Sequence, residues 1–363
     1  MALSNQPYKG TRDFFPEDQR IQNYLLSTMR RVVEAYGYQE YNGPMLEPFE
    51  LYAAKTGEEI VNQQLYWLMD RGDRKMAMRP EMTPTLARMV AQKLNELPRP
   101  VRWFSIPNLW RYERPQRGRL REHWQLNVDV LGGDPILADA EVLGVALDLM
   151  AAFGGLEHVE VQVNNRRLMD EFFQKSLGLS GEVSLQVTKA LDARDKIGEE
   201  KYDAWLTQLG LAADARKKME AFFAADFETA VRMVPGAGAD ELKALFALLA
   251  ESGHAGRVLF NPRVLRGMDY YTGTVFEMYD KSPENRRAMF GGGRYDNLIG
   301  LFGNAKLSGV GLGLGDVTLR NFLETHALLP KLDGGVDVFV ALPARELRGR
   351  AEAIARDLRR AGH

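Results

Sequence analysis

Five arginines, Arg111, Arg114, Arg117, Arg119 and Arg121, crowd one bend of the stretch 101–133, VRWFSIPNLWRYERPQRGRLREHWQLNVDVLGG. Guanidiniums packed this densely repel one another unless water takes up their charge or anions such as phosphates are gripped. Phosphate binding is therefore one reading of the stretch and a solvated basic loop is the other. A second candidate is the run RPEMTP over 79–84, where Glu81 and Thr83 form a helix-capping pair before they are ligands. Glycine supplies a third. The run VGLGLG over 310–315 alternates apolar residues with glycine, so one face of such a strand carries no side chains. Either a flat ligand lies on that bare face or a helix packs against it. Gly291, Gly292 and Gly293, just before Arg294, Tyr295 and Asp296, also allow close approach of backbone or ligand. Metal chemistry is disfavoured. The chain has no cysteine, and His123, His158, His254, His326 and His363 are too scattered for ligand spacing.

The arginine cluster needs a frame, and the flanking runs supply one. Residues 103–110 and 124–131 have the aromatic and β-branched content of strands, and they bracket a segment (113–122) with Pro, Gly and six charges. This predicts an antiparallel hairpin with a long charged loop. Upstream, Ile21, Leu25, Met29, Val32 and Val33 recur at helical spacing after Pro16, predicting an amphipathic helix ended by Gly37. Residues 38–45 read as extended, 46–54 as helical, 65–69 and 75–78 as a hairpin turned at 70–73, and 83–94 as a helix with Thr83 as N-cap. Residues 135–153 predict a core helix and 158–163 a strand. From 167 to 256 the texture becomes rich in Ala, Leu and Lys, which predicts an all-helical inserted subdomain. Strands return at 258–260, 269–279 and 289–290. Asp316 is read as the cap of a helix to about 323, and 336–342 as a strand before an arginine-rich helix over 345–361. One β-α unit cannot bury its own apolar face, so the sequence reads as cut inside a second domain.

With 363 residues, 45% hydrophobic and 26% charged, the chain has the composition of a globular protein rather than a disordered or fibrous one. No apolar run approaches the roughly 18 residues of a membrane span, and the opening residues lack a signal pattern, so the expected location is cytoplasmic. A net charge of -2 argues against blanket nucleic-acid affinity while leaving room for a local phosphate-binding loop.

Over residues 7–363 these pieces resemble the histidyl-tRNA synthetases, a family of class II aminoacyl-tRNA synthetases. The run KGTRD over 9–13 resembles the family's opening motif, and 37–44 resembles motif 1, which builds a dimer interface around a proline. Residues 104–129 resemble motif 2 and 309–319 motif 3, while RGMDYY over 266–271 and GGRYD over 292–296 resemble stretches confined to the histidine-specific members. The resemblance implies an α+β fold. An antiparallel sheet of six or seven strands is flanked by helices, with core pieces at 1–166 and 257–328, a helical insertion at 167–256, and the start of an α/β anticodon-binding domain at 336–363.

The resemblance also implies site residues. Arg111 is expected on the α-phosphate of ATP, Glu113 on the adenine amino group, Arg119 toward the outer phosphates and His123 against the adenine ring, with Gly313 and Gly315 beneath the nucleotide. Glu81, Met82, Thr83 and Gln125 are expected around the amino acid's ammonium group, which needs acceptors. Asp129 and Tyr271, with Tyr270 beside them, are expected to read the imidazole, and Arg266 and Arg111 to be the catalytic cations. Magnesium is expected to arrive with ATP, and L-histidine, tRNA(His) and a second copy of the chain are the implied partners. Tyr36, Tyr38 and Tyr41 are expected to be covered in that homodimer. Three positions depart from the family pattern: His123 replaces a common phenylalanine, Asp129 a common glutamate, and Thr318 the arginine that ends motif 3. Arg320 is expected to point away, leaving the outer phosphates to Arg119, magnesium and the N–H groups at the helix start. The rival within the same fold is the catalytically silent paralogue that regulates ATP phosphoribosyltransferase. A plain RNA- or nucleotide-binding module is the other alternative.

Overall fold

The computed structural model describes residues 3–53, 63–265, 271–285, 287–303, 306–332 and 335–363. Arg266 and Tyr270 lie outside the described residues.

Helix α1 (Pro16–Ala35) opens on a proline, whose missing N–H costs nothing in a first turn, and buries Leu25, Met29, Val32 and Val33 along one stripe. It stops at Tyr36 and Gly37, where φ is 80°. Strand β1 (Gln39–Glu40) follows. The helix expected over 46–54 is instead strand β2 (Leu46–Pro48) and a short α2 (Phe49–Ala53), because 46–48 pair with 76–78 and that pairing overrides the local spacing. Strands β3 (Trp67–Met69) and β4 (Lys75–Met78) form the expected hairpin, with the Asp70 carboxylate accepting from the N–H groups of Gly72 and Arg74 at 2.8 and 3.0 Å. Thr83 is not a cap. It is the first residue of α3 (Thr83–Gln92), whose N-cap position is Met82 with no side-chain cap bond.

The hairpin around the arginines is present, with its first arm broken at Pro107, which has no N–H to give a ladder, into β5 (Val101–Ser105) and β6 (Asn108–Trp110). Both pair with the long β7 (Glu122–Leu131). Helix α4 (Pro135–Ala152) is capped by Asp134, and β8 (Val159–Asn165) leads into α5 (Arg166–Glu171). The Ala- and Leu-rich stretch folds as α6 (Gly181–Ile197), α7 (Glu199–Gln208), α8 (Ala213–Phe223), α9 (Phe227–Met233) and α10 (Ala237–Glu251). Strands β9 (Val258–Phe260), β10 (Thr274–Asp280), β11 (Phe290–Tyr295) and β12 (Gly309–Gly315) complete the sheet, and α11 (Asp316–Thr325) follows.

The main sheet runs β1-β5-β7-β12-β11-β10-β8-β9. Its interior pairs are antiparallel, but β1 with β5 and β8 with β9 are parallel, so the sheet is mixed rather than antiparallel throughout. Leu126, Val128 and Val130 of β7 and Val310, Leu312 and Leu314 of β12 point into one apolar cluster with α1, α4 and α11. Burying each such side chain contributes about 1.5–3 kcal/mol. Leu242, Leu245 and Leu249 of α10 belong to the same cluster, so the helical stretch is packed onto the sheet and α4. Residues 336–342 form no strand, since no described strand lies beside them to take up their backbone hydrogen bonds. Val336 and Phe339 are exposed, and α12 (Arg348–Arg360) buries no side chain.

Candidate active site

The face of the sheet turned away from α4 is where the polar residues gather. Alternation along β7 puts Gln125, Asn127 and Asp129 there, and in the β7–β12 register they stand opposite Gly315, Gly313 and Gly311. A Cβ at Gly311 would lie 2.2 Å from Asp129 Oδ1, and one at Gly313 would lie 2.6 Å from Gln125 Nε2. The two polar side chains thus lean across β12 into room that only glycine leaves. This decides between the two readings of the bare face in part: it carries the polar row, and the core helices lie on the other side. Gln125 Nε2 donates to Asn127 Oδ1 at 2.6 Å, and Asn127 Nδ2 donates to the Gln125 carbonyl at 3.0 Å.

Asp129 is the deepest of the row, 4% exposed in the neighbourhood of Tyr41, Trp103 and Tyr295. Lost hydration pushes its carboxyl up to about 7, against a hydrogen bond donated by the Tyr295 phenol that pulls it down. Tyr295 sits on this face because β11 alternates: Gly291, Gly293 and Tyr295 look one way, and Arg294 looks the other, into a buried pair with Asp139 at 2.6 Å. The Tyr271 ring occupies the space above Gly293, where a Cβ would come within 2.9 Å of it. Burial raises the Tyr271 phenol above its usual range, with the carboxylates of Glu81, Asp129 and Glu277 adding to the effect. Tyr41 Oη and Ser105 Oγ are also buried on this side, near each other and with no close hydrogen-bond partner among the described residues.

The arginine hairpin closes one edge of this face, and four of its five arginines have protein partners. Arg111 Nε donates to the Pro80 carbonyl at 2.9 Å, which ties the hairpin to the 79–83 loop carrying Glu81, Met82 and Thr83. Met82 is fully buried, so its side chain forms wall rather than contact surface, whereas Glu81 and Thr83 are half-buried. Arg119 and Glu113 face each other at 3.6 Å. Arg121 donates to Tyr8 Oη at 2.6 Å and to the Glu113 carbonyl at 3.1 Å, and it stacks on Tyr112. His123 precedes the polar row by one pleat. Burial first, then the cations Arg111 and Arg12, hold its imidazole down to about 3, so it is a neutral ring at ordinary pH.

Sequence reasoning missed three supports. Arg79 is buried and donates to the carbonyls of Asn108 at 2.9 Å and Gly43 at 2.8 Å and to Asn42 Oδ1 at 3.1 Å, pinning the 79–83 loop between β6 and the turn at 43. Tyr295 was within a recognised motif, and its alternation with Gly291 and Gly293 was the available signal. Asp316 was read as a helix cap and is not one. The N-cap position is Gly315, and the Asp316 carboxylate accepts from Trp124 N, Gln22 Nε2 and Arg12 Nη2 at 3.0, 3.0 and 2.6 Å. Arg320 points away as expected, paired with Asp18 at 3.0 Å and Glu324 at 2.9 Å. Tyr38 and Tyr41 are buried within a single chain, Tyr38 against Glu141 and Tyr41 against Trp103, so they do not require a second copy to cover them.

Comparison with known proteins gives a consistent result. The family model described as histidyl-tRNA synthetase matches residues 10–316. A histidine--tRNA ligase of Leptospira biflexa is 51% identical over 345 residues, 94% of this chain and 79% of that protein. The crystal structure of histidyl-tRNA synthetase from Nostoc sp. PCC 7120 superposes with a TM-score of 0.84 at 27% identity, covering 99% of this chain and 85% of the other. A Bacillus halodurans protein titled as an ATP phosphoribosyltransferase regulatory subunit/histidyl-tRNA synthetase shares the fold, with a TM-score of 0.82 at 23% identity over 100% of this chain and 92% of that one. With a family model covering most of its length and a relative at 51% identity, the chain belongs to the histidyl-tRNA synthetase family.

Proposed function

We propose that the chain activates histidine with ATP and transfers it to tRNA(His), with the polar face of β7 and β12 as the amino-acid site and the arginine hairpin as the ATP site. The observation that carries the assignment is Asp129. A carboxyl group buried among apolar rings, leaning over a glycine with one oxygen already held by Tyr295, suits a ligand that brings its own buried N–H, as an imidazole does. Tyr271 is the second imidazole-reading group, while Glu81, Thr83 and Gln125 are the acceptors for the ammonium group.

In this reading the histidine carboxylate attacks the α-phosphorus of ATP, the bond to the bridging oxygen breaks, and pyrophosphate leaves with that electron pair. A terminal ribose hydroxyl of the tRNA then displaces AMP from the carbonyl carbon, losing its proton. Arg111, fixed through Nε to Pro80, presents its remaining N–H groups to the α-phosphate, and Arg266 is assigned the same task from the 266–270 segment. Glu113 and Arg119 take the adenine amino group and the outer phosphates, with the neutral His123 ring against the base and Gly313 and Gly315 below it. Magnesium enters as part of the MgATP substrate, whose phosphates hold most of its coordination sphere. The reading divides the chain into core pieces at 1–166 and 257–328, an insertion at 167–256 and a further unit at 336–363.

The cytoplasm, where ATP and tRNA meet, is the compartment this reading implies; among the described residues no helix is long and apolar enough to cross a membrane. A homodimer belongs to the same reading and rests on the resemblance of 37–44 to motif 1. The regulatory paralogue is not favoured, because the Leptospira relative at 51% identity carries the ligase name. Histidine-dependent exchange of labelled pyrophosphate into ATP is the deciding experiment. Exchange that histidine alone among the amino acids supports is the expected result, and none with pure protein and MgATP would leave only a binding function.

A further inference from the structure

The structure assigns Arg117 as a positioning residue for ATP: it clasps the tip of the arginine hairpin onto α11 and the β10–β11 turn, holding Glu113 and Arg119 in place. The inference rests on the hairpin being the ATP site.

The tip is a tight turn. Gln116 and Arg119 exchange backbone hydrogen bonds at 3.0 and 2.9 Å, and Gly118 at φ 78° completes the reversal, so Arg117 is left projecting beyond the loop. Its side chain crosses to the far wall. Nε donates to Asn285 Oδ1 at 3.2 Å, Nη2 donates to Thr325 Oγ1 at 2.7 Å, and Glu284 lies 3.9 Å away.

The acceptors themselves are held. Asn285 Nδ2 donates to Asp280 Oδ2 at 2.6 Å, and the Asp280 side chain is fully buried, with His326 Nε2 2.8 Å from its other oxygen. Thr325 Oγ1 donates to the Asn321 carbonyl at 2.9 Å. Gly118 rests on the same helix, since a Cβ there would lie 3.5 Å from Thr318 Cγ2 and 4.0 Å from Asn321 Nδ2. Thr318, Asn321 and Thr325 are spaced three and four apart, so they share one face of α11 and form a seat of small polar side chains for the tip.

The seat explains what an isolated surface arginine would not. Between residues 111 and 122 the arms meet at the Arg111 N bond to the Arg121 carbonyl at 2.8 Å and at the bridge of 116 with 119, and the base is fastened further by Tyr112 N to the Gln64 carbonyl at 2.7 Å and Arg121 N to the Gly10 carbonyl at 2.8 Å, so without the clasp it is the tip carrying Arg119 that would have to be ordered at the moment ATP binds. Fastening the tip removes that ordering cost in advance, which raises affinity without adding a contact to the ligand. Thr318 is part of the same design, because a long side chain in its place would occupy the surface on which Gly118 rests.

Pyrophosphate exchange with Arg117→Ala tests the clasp. The KM for ATP is expected to rise about tenfold, or about 1.4 kcal/mol, while the KM for histidine stays within about twofold. Thr325→Val should shift the ATP KM in the same direction, and the double variant should be no worse than Arg117→Ala alone, since both break one clasp. Arg117→Lys, which can reach one acceptor but not both, should fall between. Arg111→Ala is the companion arm. If it abolishes exchange while Arg117→Ala leaves the ATP KM unchanged, or if the Arg117 and Thr325 defects simply multiply, the clasp is overturned and the ATP site stands. If Arg111→Ala has no effect, the ATP site falls and the clasp with it.

Discussion

Replacing Asp129 by asparagine should improve the stability of the free protein at alkaline pH while removing its grip on histidine. Burial places the folded-state value at about 7, above the ordinary 3.8, so between those values the folded chain keeps a proton that the unfolded chain has lost. Stability therefore falls as pH rises through that window and is level above it. At about 1.4 kcal/mol per pKa unit, the displacement corresponds to up to about 4 kcal/mol of strain at pH 8. The substituted amide cannot ionise, yet its oxygen can still accept from Tyr295. The Asp129→Asn variant should accordingly exceed the native protein in thermal unfolding by only about 2 °C at pH 5, early in the window, and by about 5 °C at pH 8. Histidine affinity measured by calorimetry at pH 8 should fall by about 2–4 kcal/mol, the cost of a lost charge-assisted pairing in a dry site. Equal stability shifts at both pH values would refute the placement of the charge. Retained histidine affinity would move the imidazole site elsewhere.

Arg320→Ala should leave pyrophosphate exchange within a few-fold of native, because its guanidinium is committed to Asp18 and Glu324, whereas Arg111→Ala should reduce it at least ~100-fold; equal damage from both would overturn this placement. With His123 held down to about 3, the pH profile of exchange between pH 5.5 and 8 should be the same in His123→Phe as in the native protein, and a titration step that vanishes in the variant would show that the ring is charged in that range. Asp139→Ala should destabilise the fold by about 3–5 kcal/mol in denaturant titration, since it strands the buried Arg294; a change below about 1 kcal/mol would mean the pair is solvated. Sedimentation at micromolar protein should show a dimer, and a lone 41.0 kDa species would count against it.

How much of this was legible beforehand depends on sequence separation. The stripe of α1 and the alternation of β7 are local periodicities, and the hairpin declared itself by content and by Arg-rich punctuation. Thr83 and Asp316 were misread for one reason: both stand where a cap residue belongs, but the chain had already entered the helix one residue earlier. The contact that makes Asp129 distinctive joins residues 166 apart, and the one between Arg12 and Asp316 joins residues 304 apart. No pattern of period two or 3.6 reaches so far, and only the resemblance to a known family supplied Asp129 as a candidate. It did not supply Tyr295, whose role follows from which face of β11 it occupies.

The same node bears on how the outer phosphates are held. A helix start ordinarily attracts anions because its first N–H groups point outward unpaired. In α11 the first residue brings its own carboxylate, and that carboxylate is engaged by Arg12, Gln22 and the Trp124 N–H. Asp316 therefore adds negative charge at the very end that would otherwise draw a phosphate, and Arg12, its partner at 2.6 Å, is spent on neutralising it. Thr318 adds no cation and serves as seat for the hairpin tip, while Arg320 faces α1. Of the expected phosphate ligands, the helix start is thus the weakest. On the proposed assignment, the positive charge for the outer phosphates falls to the hairpin, to Arg119 at the rim, and the fastening of that hairpin by Arg117 then counts for more than an arginine on the helix.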